Sequence, residues 1–408
     1  MSEEFHEKAL EYHREGKPGK IDVSSHKSMD THQDLSLAYT PGVAAPVREI
    51  LKNPNTVNEY TIKGNLVAVV TDGSAVLGLG NVGPLAAKPV MEGKAVLFKR
   101  FAGIDVFNIE LDTQDVDEIV NTIKNIAPTF GGINLEDISA PRCFEIEQRL
   151  IDELDIPVFH DDQHGTAIIV AAGLLNALEI QGKSSDSAQI VVAGGGSAGL
   201  ATLDLLVNLG FKKENMILVD RNGVVSEDTK DKVNKYKAAF AIDTKKETLN
   251  DAMNGADVFI GVARGNLVTQ EMVKSMAEKP IIFALSNPDP EISPVDAFAC
   301  RNDLLMATGR SDYPNQVNNV LGFPYIFRGA LDAKSKEINT EMKIAAVHAL
   351  KDLAKLPVPD SVLQAYQIDS LSYGADYIIP KPFDPRLVDI IPKAIFEAAV
   401  SSGVSCLT

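Results

Sequence analysis

The sequence predicts an α/β protein of two domains, and two observations lead to that fold class. First, short apolar strand-like segments alternate with helix-like segments, once over residues 65–159 and again over residues 189–307. Such alternation is typical of parallel βαβ units. Second, a GxGxxG motif directly follows the first strand of the second alternation, as it does in dinucleotide-binding domains. We therefore predict an N-terminal substrate and metal domain at residues 1–163. A Rossmann-type, doubly wound dinucleotide-binding domain follows at residues 164–408, with C-terminal helices that can pack back on the first domain.

Composition restricts the class of protein and its partners. The 408 residues have room for about two to three separate cores. Acidic residues outnumber basic ones by 56 to 39, for a net charge of -17. This balance argues against nucleic acid or an anionic membrane as a partner, because both bind basic surfaces. Three widely spaced cysteines and the lack of a signal-peptide-like N-terminus favour a reducing cytoplasm.

The first domain is predicted to begin with a polar helix at residues 3–14. A poorly periodic segment at 17–33 follows, and Pro41-Gly42 then starts a helix that ends near Leu51. The regular alternation supplies strands at 65–71, 104–111, 133–138 and 157–159, and helices at 84–101, 116–126 and 141–154.

A long apolar helix at 164–181 leads into the second domain. Its predicted strands are at 189–193, 216–220, 257–262, 280–285 and 304–307. Its predicted helices are at 198–209, 228–240, 247–254 and 270–277. The chain is predicted to close with helices near 320–336, 340–355 and 386–402.

The GxGxxG pattern occurs twice, and context separates the two copies. The second follows its strand directly and opens a helix, as the pyrophosphate of a dinucleotide requires. We assign the dinucleotide to that loop, which comprises Gly194, Gly195, Gly196, Ser197, Ala198 and Gly199. The copy at 78–83 begins several residues after its strand. Backbone N–H groups lining a substrate pocket and a plain structural turn are both open readings of that copy.

The residues that distinguish NAD from NADP give conflicting signals. Asp220 ends the next strand, about twenty residues on, where an acid bonds the ribose 2′-hydroxyl of NAD. Arg221 stands beside it and can accommodate the 2′-phosphate of NADP. Of the two cofactors we favour NADP.

Two pairs of acidic residues lie near the carboxyl ends of consecutive predicted strands. They are Glu136-Asp137 and Asp161-Asp162. In a parallel sheet such pairs can converge at one edge, where Mg²⁺ or Mn²⁺ would offset the mutual repulsion of the carboxylates. The alternative is that Asp137 and Asp162 each cap the helix that follows.

A lysine and a tyrosine are further candidates. Lys94 lies on the helix at 84–101 beside the apolar residues 95–98. Burial there would lower its pKa and let it act as a base, whereas an ordinary helix lysine is solvated. Tyr39 precedes the Pro41-Gly42 turn, where a tyrosine is usually a packed aromatic with a bonded hydroxyl.

Several short segments together resemble the malic enzyme family, in collinear order from about residue 20 to 400. They are Leu37–Ala44, Val70–Gly73, Leu77–Gly80, Glu92–Lys94, Asn134–Asp137, His160–Thr166 and Ser286–Pro288. The chain is similar to the short prokaryotic-type form of that family.

The resemblance implies oxidative decarboxylation of (S)-malate to pyruvate and CO₂ with reduction of NAD(P)⁺, and decarboxylation of oxaloacetate. It implies a divalent metal, Mg²⁺ or Mn²⁺, and at least a homodimer, in which the N-terminal segment can form an interface arm. It also implies roles for individual residues. Tyr39 is implied as the general acid, and Lys94 as the general base and a substrate contact. Glu136, Asp137 and Asp162 are implied as metal ligands supported by Asp161, and Asn287 and Asn319 as contacts to the nicotinamide and the substrate.

The chain departs from the family pattern at one position, and two alternative functions are open. Larger eukaryotic-type relatives carry an arginine for the substrate carboxylate just after Thr-Asp-Gly, where this chain has Ser74-Ala75. The amides of the 78–83 loop or Lys88 would have to replace it. Within the family, a malolactic enzyme that releases lactate is the alternative function. From another class, a non-catalytic NAD(P)-binding sensor would need neither Lys94 nor the acidic pairs.

Overall fold

The computed structural model describes residues 3–407, apart from the side chain of Leu77, and has the predicted architecture of two parallel sheets. The predicted domain ends at residues 1, 2 and 408 lie outside the described residues. The first sheet contains β1 (Leu66–Thr71), β2 (Asp105–Glu110), β3 (Gly132–Leu135) and β4 (Val158–His160). These strands are all parallel and lie in the order β2-β1-β3-β4, so β3 and β4 are neighbours.

The second sheet is of the doubly wound type. Its strands are β5 (Ile190–Ala193), β6 (Met216–Asp220), β7 (Gly223–Val224), β8 (Val258–Gly261), β9 (Ile281–Ala284) and β10 (Leu305–Thr308). Their order is β10-β9-β8-β5-β6-β7, parallel except for the short edge strand β7. The order reverses at β5, which has β8 on one side and β6 on the other. A crevice at such a switch point is where ligands bind in this class of sheet.

Helices surround both sheets, and their bounds are as follows: α1 (Glu3–Arg14), α2 (His32–Ala38), α3 (Ala44–Lys52), α4 (Val57–Tyr60), α5 (Pro84–Ala102), α6 (Val116–Ile126), α7 (Arg142–Glu153), α8 (Thr166–Gln181), α9 (Ser197–Asn208), α10 (Lys235–Ala238), α11 (Leu249–Met253), α12 (Gln270–Ser275), α13 (Pro294–Cys300), α14 (Phe323–Asp332), α15 (Thr340–Leu353), α16 (Asp360–Tyr366) and α17 (Leu387–Ser401). A π-helical turn at Asp161–Gly165 connects β4 to α8. The predicted domain boundary between residues 163 and 164 falls inside this turn.

The predicted helix at 228–240 is wrong. The segment contains only a 3₁₀ turn, Lys230–Lys232, and the four-residue α10. Asn234 adopts an extended backbone, and its side chain accepts hydrogen bonds from the N–H groups of Tyr236 and Lys237. An asparagine in this role starts a new helix and interrupts a continuous one. The predicted elements also omit the short helices α2, α4, α13 and α16, although Thr31 and Ser293 cap α2 and α13.

Helix α8 lies at the centre of the molecule. Every residue from Ala167 to Leu178 is buried except the partly buried Leu175. A helix that is apolar all round must be covered on all sides. Helices α9 and α15 and strand β9 contact it, and so does the π-helical turn. Among the helices of residues 3–407, none is long and apolar enough to cross a membrane.

The C-terminal helices pack back on the first domain, as predicted. On α14, the rings of Phe323 and Phe327 lie 4.8 and 5.4 Å from the ring of Phe98 on α5, in edge-to-face arrangements. Phe159 of β4 meets Phe327 at 5.9 Å. These rings belong to one core cluster that also contains β5, β8 and β9 residues. The two sheets are therefore held in a fixed relation.

We expect Phe98→Ala to destabilise the whole protein, because the ring is fully buried between the two domains. Truncation of such a phenylalanine costs about 3–5 kcal/mol of unfolding free energy. Thermal unfolding followed by circular dichroism would report a clearly lower midpoint. The matched control is Leu85→Ala on the same helix, where the side chain is 88% exposed. Equal midpoints for the two variants would contradict this account of the core.

Candidate active site

A cavity of about 490 Å³ lies where the carboxyl ends of the two sheets face each other. The first domain contributes Asp137 and Asp162 to its wall. The second domain contributes the start of α9 and the loops that follow β8, β9 and β10. Because both domains line it, this cavity is the natural place for a reaction between a substrate and a dinucleotide.

The structure brings the two acidic pairs together at one edge of the first sheet. Glu136 and Asp137 follow β3, and Asp161 and Asp162 follow the neighbouring β4. Carboxylate oxygens of Glu136, Asp137 and Asp162 lie within 4.8 Å of one another. The helix-cap alternative does not hold, because neither α7 nor α8 has a side-chain cap. Asp162 instead accepts a hydrogen bond from the N–H of Asp137, at 2.8 Å.

The chemistry of this cluster fits a hard divalent cation. Burial raises the pKa of Glu136 to about 7, with Lys94 opposing and the charge of Asp162 adding to the shift. Burial and the charge of Asp161 likewise raise the pKa of Asp162. Carboxylates held in this way carry uncompensated negative charge, which a cation would neutralise. An all-oxygen donor set is the one that Mg²⁺ and Mn²⁺ prefer.

Backbone geometry at Asp137 supports the same interpretation. Its φ of 53° lies in the left-handed region, which an aspartate adopts at some cost. Such a strained backbone conformation persists where the surrounding structure requires the side chain to point in a fixed direction. Here the conformation places the Asp137 carboxylate beside those of Glu136 and Asp162.

Lys94 lies inside the acidic cluster and is only 7% exposed. Its ammonium group donates to Asp161, lies 3.1 Å from Oε1 of Glu136, and stands 4.1 Å from the centre of the Phe323 ring. The predicted lowering of its pKa is wrong for this arrangement. Burial lowers the pKa, but the charges of Asp161 and Glu136 more than offset burial and raise it above the ordinary value.

The proton affinity of Lys94 is therefore set by its carboxylate neighbours. Its ammonium group pairs with the carboxylates of Glu136 and Asp161, and the charge of Asp162 also acts on it. A divalent cation bound to the carboxylate cluster would cancel much of its charge and lower the pKa of Lys94, because a bound ion inverts the local electrostatics. Metal binding would thus be coupled to the basicity of Lys94.

Asp161 connects Lys94 to the second domain. It is fully buried, and its Oδ2 also accepts a hydrogen bond from Nδ2 of Asn319, at 2.6 Å. A Cβ on Gly165 would lie 1.9 Å from Oδ1 of Asp161, so only glycine leaves room for this carboxylate inside the turn. Asp161 thus orients both Lys94 and Asn319.

Two supporting residues were missed by sequence reasoning. Asn134 of β3 donates to Oε2 of Glu136 at 2.9 Å. Glu147 of α7 accepts hydrogen bonds from the N–H of His160, from Gln163 and from His164, at 2.8–3.1 Å. Burial raises the pKa of Glu147, but the interaction with His164 and the charge of Lys343 more than offset burial and lower the pKa to about 2. The ionised Glu147 holds the turn that carries Asp161 and Asp162.

The loop 194–199 has the geometry of a dinucleotide-binding turn. Gly194 has a φ of 125°, and a Cβ on Gly199 would lie 1.9 Å from the Gly194 carbonyl oxygen. Ser197 and Ala198 open α9 and line the cavity, as does Asn287 after β9. In the other glycine loop, Gly78 also lines the cavity, and a Cβ on it would lie 2.6 Å from the Asn287 carbonyl oxygen.

The end of β6 holds an ion pair that the sequence did not reveal. Oδ2 of Asp220 lies 2.7 Å from Nζ of Lys237 on α10, and the side chains are only 4% and 19% exposed. A Cβ on Gly195 would lie 2.8 Å from Cε of Lys237, so this lysine lies directly over the glycine loop. Arg221 is exposed. No local pattern links residue 237 to residue 220, and only the fold brings them together.

Two predicted contributors lie away from the cavity. Tyr39 follows α2, is 68% exposed and is not among the residues that line the cavity. Lys88 points to Glu110 at 3.2 Å and also does not line the cavity. Lys88 is therefore not placed to replace the missing arginine, whereas the 78–83 loop reaches the cavity through Gly78.

Comparison with known proteins gives a consistent result over nearly the whole chain. Residues 18–151 match the family description "Malic enzyme, N-terminal domain", and residues 163–366 match "Malic enzyme, NAD binding domain". A curated "NADP-dependent malic enzyme" of Halomonas elongata is 57% identical over 99% of this chain and 96% of its own length.

Two further relatives show the range of the similarity. An "NADP-dependent malic enzyme" of Rhizobium meliloti is 55% identical over 98% of this chain, which spans only 52% of that relative. The crystal structure of a malic enzyme from Pyrococcus horikoshii superposes with a TM-score of 0.91 at 44% identity. That superposition covers 99% of this chain and 92% of the other.

We expect Glu136→Gln to weaken the binding of Mn²⁺ by at least about tenfold, because the substitution removes one charge from the carboxylate cluster. Isothermal titration calorimetry of the protein without substrate measures this directly. Glu145→Gln, an exposed acid on α7, is the matched control and should bind Mn²⁺ like the unmodified chain. Equal Mn²⁺ affinity in both variants would rule out this cluster as the metal site.

Proposed function

The chain belongs to the malic enzyme family, and we propose that it catalyses the oxidative decarboxylation of (S)-malate to pyruvate and CO₂ with reduction of NADP⁺. One observation carries the proposal. Asp137, Asp162 and the start of the helix that follows the dinucleotide loop line a single cavity between the domains, and Glu136 and the buried Lys94 adjoin the same carboxylate cluster. A protein that only sensed a dinucleotide would need neither the lysine nor the acidic cluster.

Glu136, Asp137 and Asp162 are the residues that would hold Mg²⁺ or Mn²⁺. Such an ion, when bound, polarises substrate oxygen atoms and favours the loss of CO₂ from a β-keto acid. The protein's part is to fix three carboxylates at one sheet edge, two of them buried and the third partly buried, as ligands for the ion.

Lys94 acts as the base that takes the proton of the C2 hydroxyl group as the hydride leaves C2. Asp161 orients Lys94 and Asn319 relative to each other, because both side chains donate hydrogen bonds to its carboxylate. After CO₂ is lost, an acid must protonate C3 of the enol form of pyruvate. Tyr39 is our candidate for that acid, in line with the resemblance of residues 37–44 to the family.

NADP is the preferred cofactor, and Lys237 supports this choice more strongly than Arg221 does. Asp220 alone would repel the 2′-phosphate of NADP. Lys237 neutralises that carboxylate and adds a cation above the glycine loop, within reach of the adenosine ribose. A phosphate in this position would meet an ammonium group rather than a bare carboxylate.

We expect Lys237→Gln to raise the KM for NADP⁺ by about tenfold or more, because a charged hydrogen bond to phosphate is lost. The KM for NAD⁺ should stay level or fall, since Asp220 becomes free to bond a 2′-hydroxyl. Initial rates with each cofactor at saturating malate would show this. Lys235→Gln on the same helix, with an exposed side chain, is the control and should change neither KM. Equal increases in the KM for NADP⁺ and the KM for NAD⁺ in Lys237→Gln would contradict the assignment of Lys237 to the 2′-phosphate.

A cytoplasmic homodimer is the proposed form of the enzyme, with domains that divide at residues 163–164. Apolar side chains of residues 35–62 are left exposed in the single chain, among them Leu37, Val47 and Leu51. An apolar surface of this kind is typical of a protein interface. Tyr39 lies in the same segment, so a dimer contact made by residues 35–62 can also bring its hydroxyl group to a catalytic cavity. The three cysteines are free thiols, consistent with a reducing compartment.

The experiment that tests the function is an assay of the pure protein with (S)-malate, Mn²⁺ and NADP⁺, in which NADPH absorbance and the carbon product are both measured. Equimolar NADPH and pyruvate, abolished by EDTA, are expected. Lactate without net NADPH would instead establish the malolactic alternative. Absence of turnover despite cofactor binding would overturn the proposal.

Two variants should separate the proposed proton transfers. Lys94→Ala should abolish NADPH formation from malate, because the base is missing at the oxidation step. Tyr39→Phe should impair the formation of pyruvate while it leaves the reduction of oxaloacetate by NADPH largely intact, because the phenol is needed only after CO₂ is lost. Stopped-flow absorbance for the first variant and product analysis for the second are the measurements. Full pyruvate formation by Tyr39→Phe would remove the acid role from this residue.

A further inference from the structure

Glu291 is a fully buried carboxylate in the second domain that the proposed reaction does not use. Its Oε1 accepts hydrogen bonds from the N–H of Ala263, at 3.0 Å, and from the hydroxyl of Ser286, at 2.6 Å. Its Oε2 accepts from the N–H of Ser286, at 3.1 Å. Glu291 therefore ties together the loops that follow β8 and β9.

These two loops form the part of the cavity wall where a nicotinamide ring belongs. Ala263 from one loop, and Ser286 and Asn287 from the other, line the cavity. Strands β8 and β9 lie on the opposite side of β5 from β6, which carries Asp220. A dinucleotide with its pyrophosphate at 194–199 and its adenosine ribose at Asp220 must direct its nicotinamide toward β8 and β9.

The charge of Glu291 has no cationic partner among the residues that the structure describes. The groups that donate hydrogen bonds to its carboxylate are neutral: the N–H of Ala263 and the N–H and hydroxyl of Ser286. Burial raises that pKa, whereas the hydrogen bonds from Ser286 and Ala263 lower it. Because each partner donates, every one of these bonds is strongest to the ionised carboxylate. A buried anion without a counter-ion is costly and is retained where its charge has a use.

The absence of a side chain at Gly261 leaves the space that the Glu291 carboxylate occupies. A Cβ on Gly261, the last residue of β8, would lie 2.7 Å from Oε1 of Glu291. The carboxylate thus packs directly against the carboxyl end of the strand whose next residues line the cavity. Its position is fixed by contacts from β8 and from the loop after β9.

We propose that Glu291 biases the cofactor site toward the oxidised, cationic nicotinamide and positions the two loops that contact the ring. The ring carries a positive charge in NADP⁺ and none in NADPH. A nearby anion that is shielded from water stabilises only the first form, and salt screens it weakly. The bias favours binding of the substrate cofactor and release of the reduced product. This inference rests on the proposed function, because it requires the nicotinamide cofactor.

The test compares the affinities of the full chain for NADP⁺ and NADPH, before and after Glu291→Gln. NADPH binding is followed by its fluorescence and NADP⁺ binding by competition, without malate, so that no turnover occurs. We expect the ratio Kd(NADP⁺)/Kd(NADPH) to rise about tenfold, because only the cationic ring loses an attraction. A purely structural role would weaken both forms alike, and an unchanged ratio would therefore overturn the inference.

Two further variants keep the test decisive. Lys237→Gln is the matched control: it should weaken NADP⁺ and NADPH equally, because both carry the 2′-phosphate. Glu291→Asp keeps the charge but shortens the side chain, so it should preserve the ratio Kd(NADP⁺)/Kd(NADPH) even where both affinities fall. If Glu291→Gln does not fold, Glu291→Asp takes its place in the test. A changed ratio in Glu291→Asp would contradict the electrostatic role. If the unmodified chain bound neither form of NADP, the proposed function would fail together with this inference.

Discussion

The concentration of negative charge around Lys94 is the constraint on which the rest of the site depends. Four carboxylates are brought to one edge of a parallel sheet, three of them buried and that of Asp162 partly buried, and among the described residues the ammonium group of Lys94 pairs with two of them. Such an arrangement is unfavourable unless a cation is bound, because desolvation and mutual repulsion both oppose ionisation. The same excess charge raises the pKa of Lys94, so the lysine can become a base only when that charge is offset. The proposed metal binding and the proposed proton transfer would therefore both depend on one electrostatic arrangement.

The fold supplies the rigidity that this arrangement needs. Strands β3 and β4 place the acids side by side, and the ionised Glu147 holds the turn between β4 and α8. Helix α8 leaves that turn and runs through the common core of both domains. The aromatic contacts between α5 and α14 fix the helix of Lys94 against the second domain. The carboxylates of Asp137 and Asp162 thus face the start of α9 across one cavity.

Buried charge is used in different ways at the two ends of the cofactor site. At the adenosine end, Asp220 and Lys237 form an ion pair, and in the proposed function the lysine lets an NAD-like strand end accept a phosphate. At the nicotinamide end, the described residues give Glu291 neutral hydrogen-bond donors, and in our proposal its charge acts on the ring of the bound cofactor. An enzyme that must bind NADP⁺ and release NADPH benefits from recognising the phosphate at one end and the charge of the ring at the other.

The sequence by itself determined the two parallel sheets, the dinucleotide loop and the candidate ligands, because these depend on local periodicity and short motifs. The alternation of strands and helices predicts βαβ units, and a glycine loop after a strand predicts a pyrophosphate site. Only the tertiary structure decided how distant residues act on one another. It paired Lys237 with Asp220, joined Glu291 to Ala263, left Tyr39 exposed and raised the pKa of Lys94 where burial alone predicts a lower one. These outcomes depend on distances between side chains that are far apart in sequence, and electrostatic interactions follow distance in space, not position along the chain.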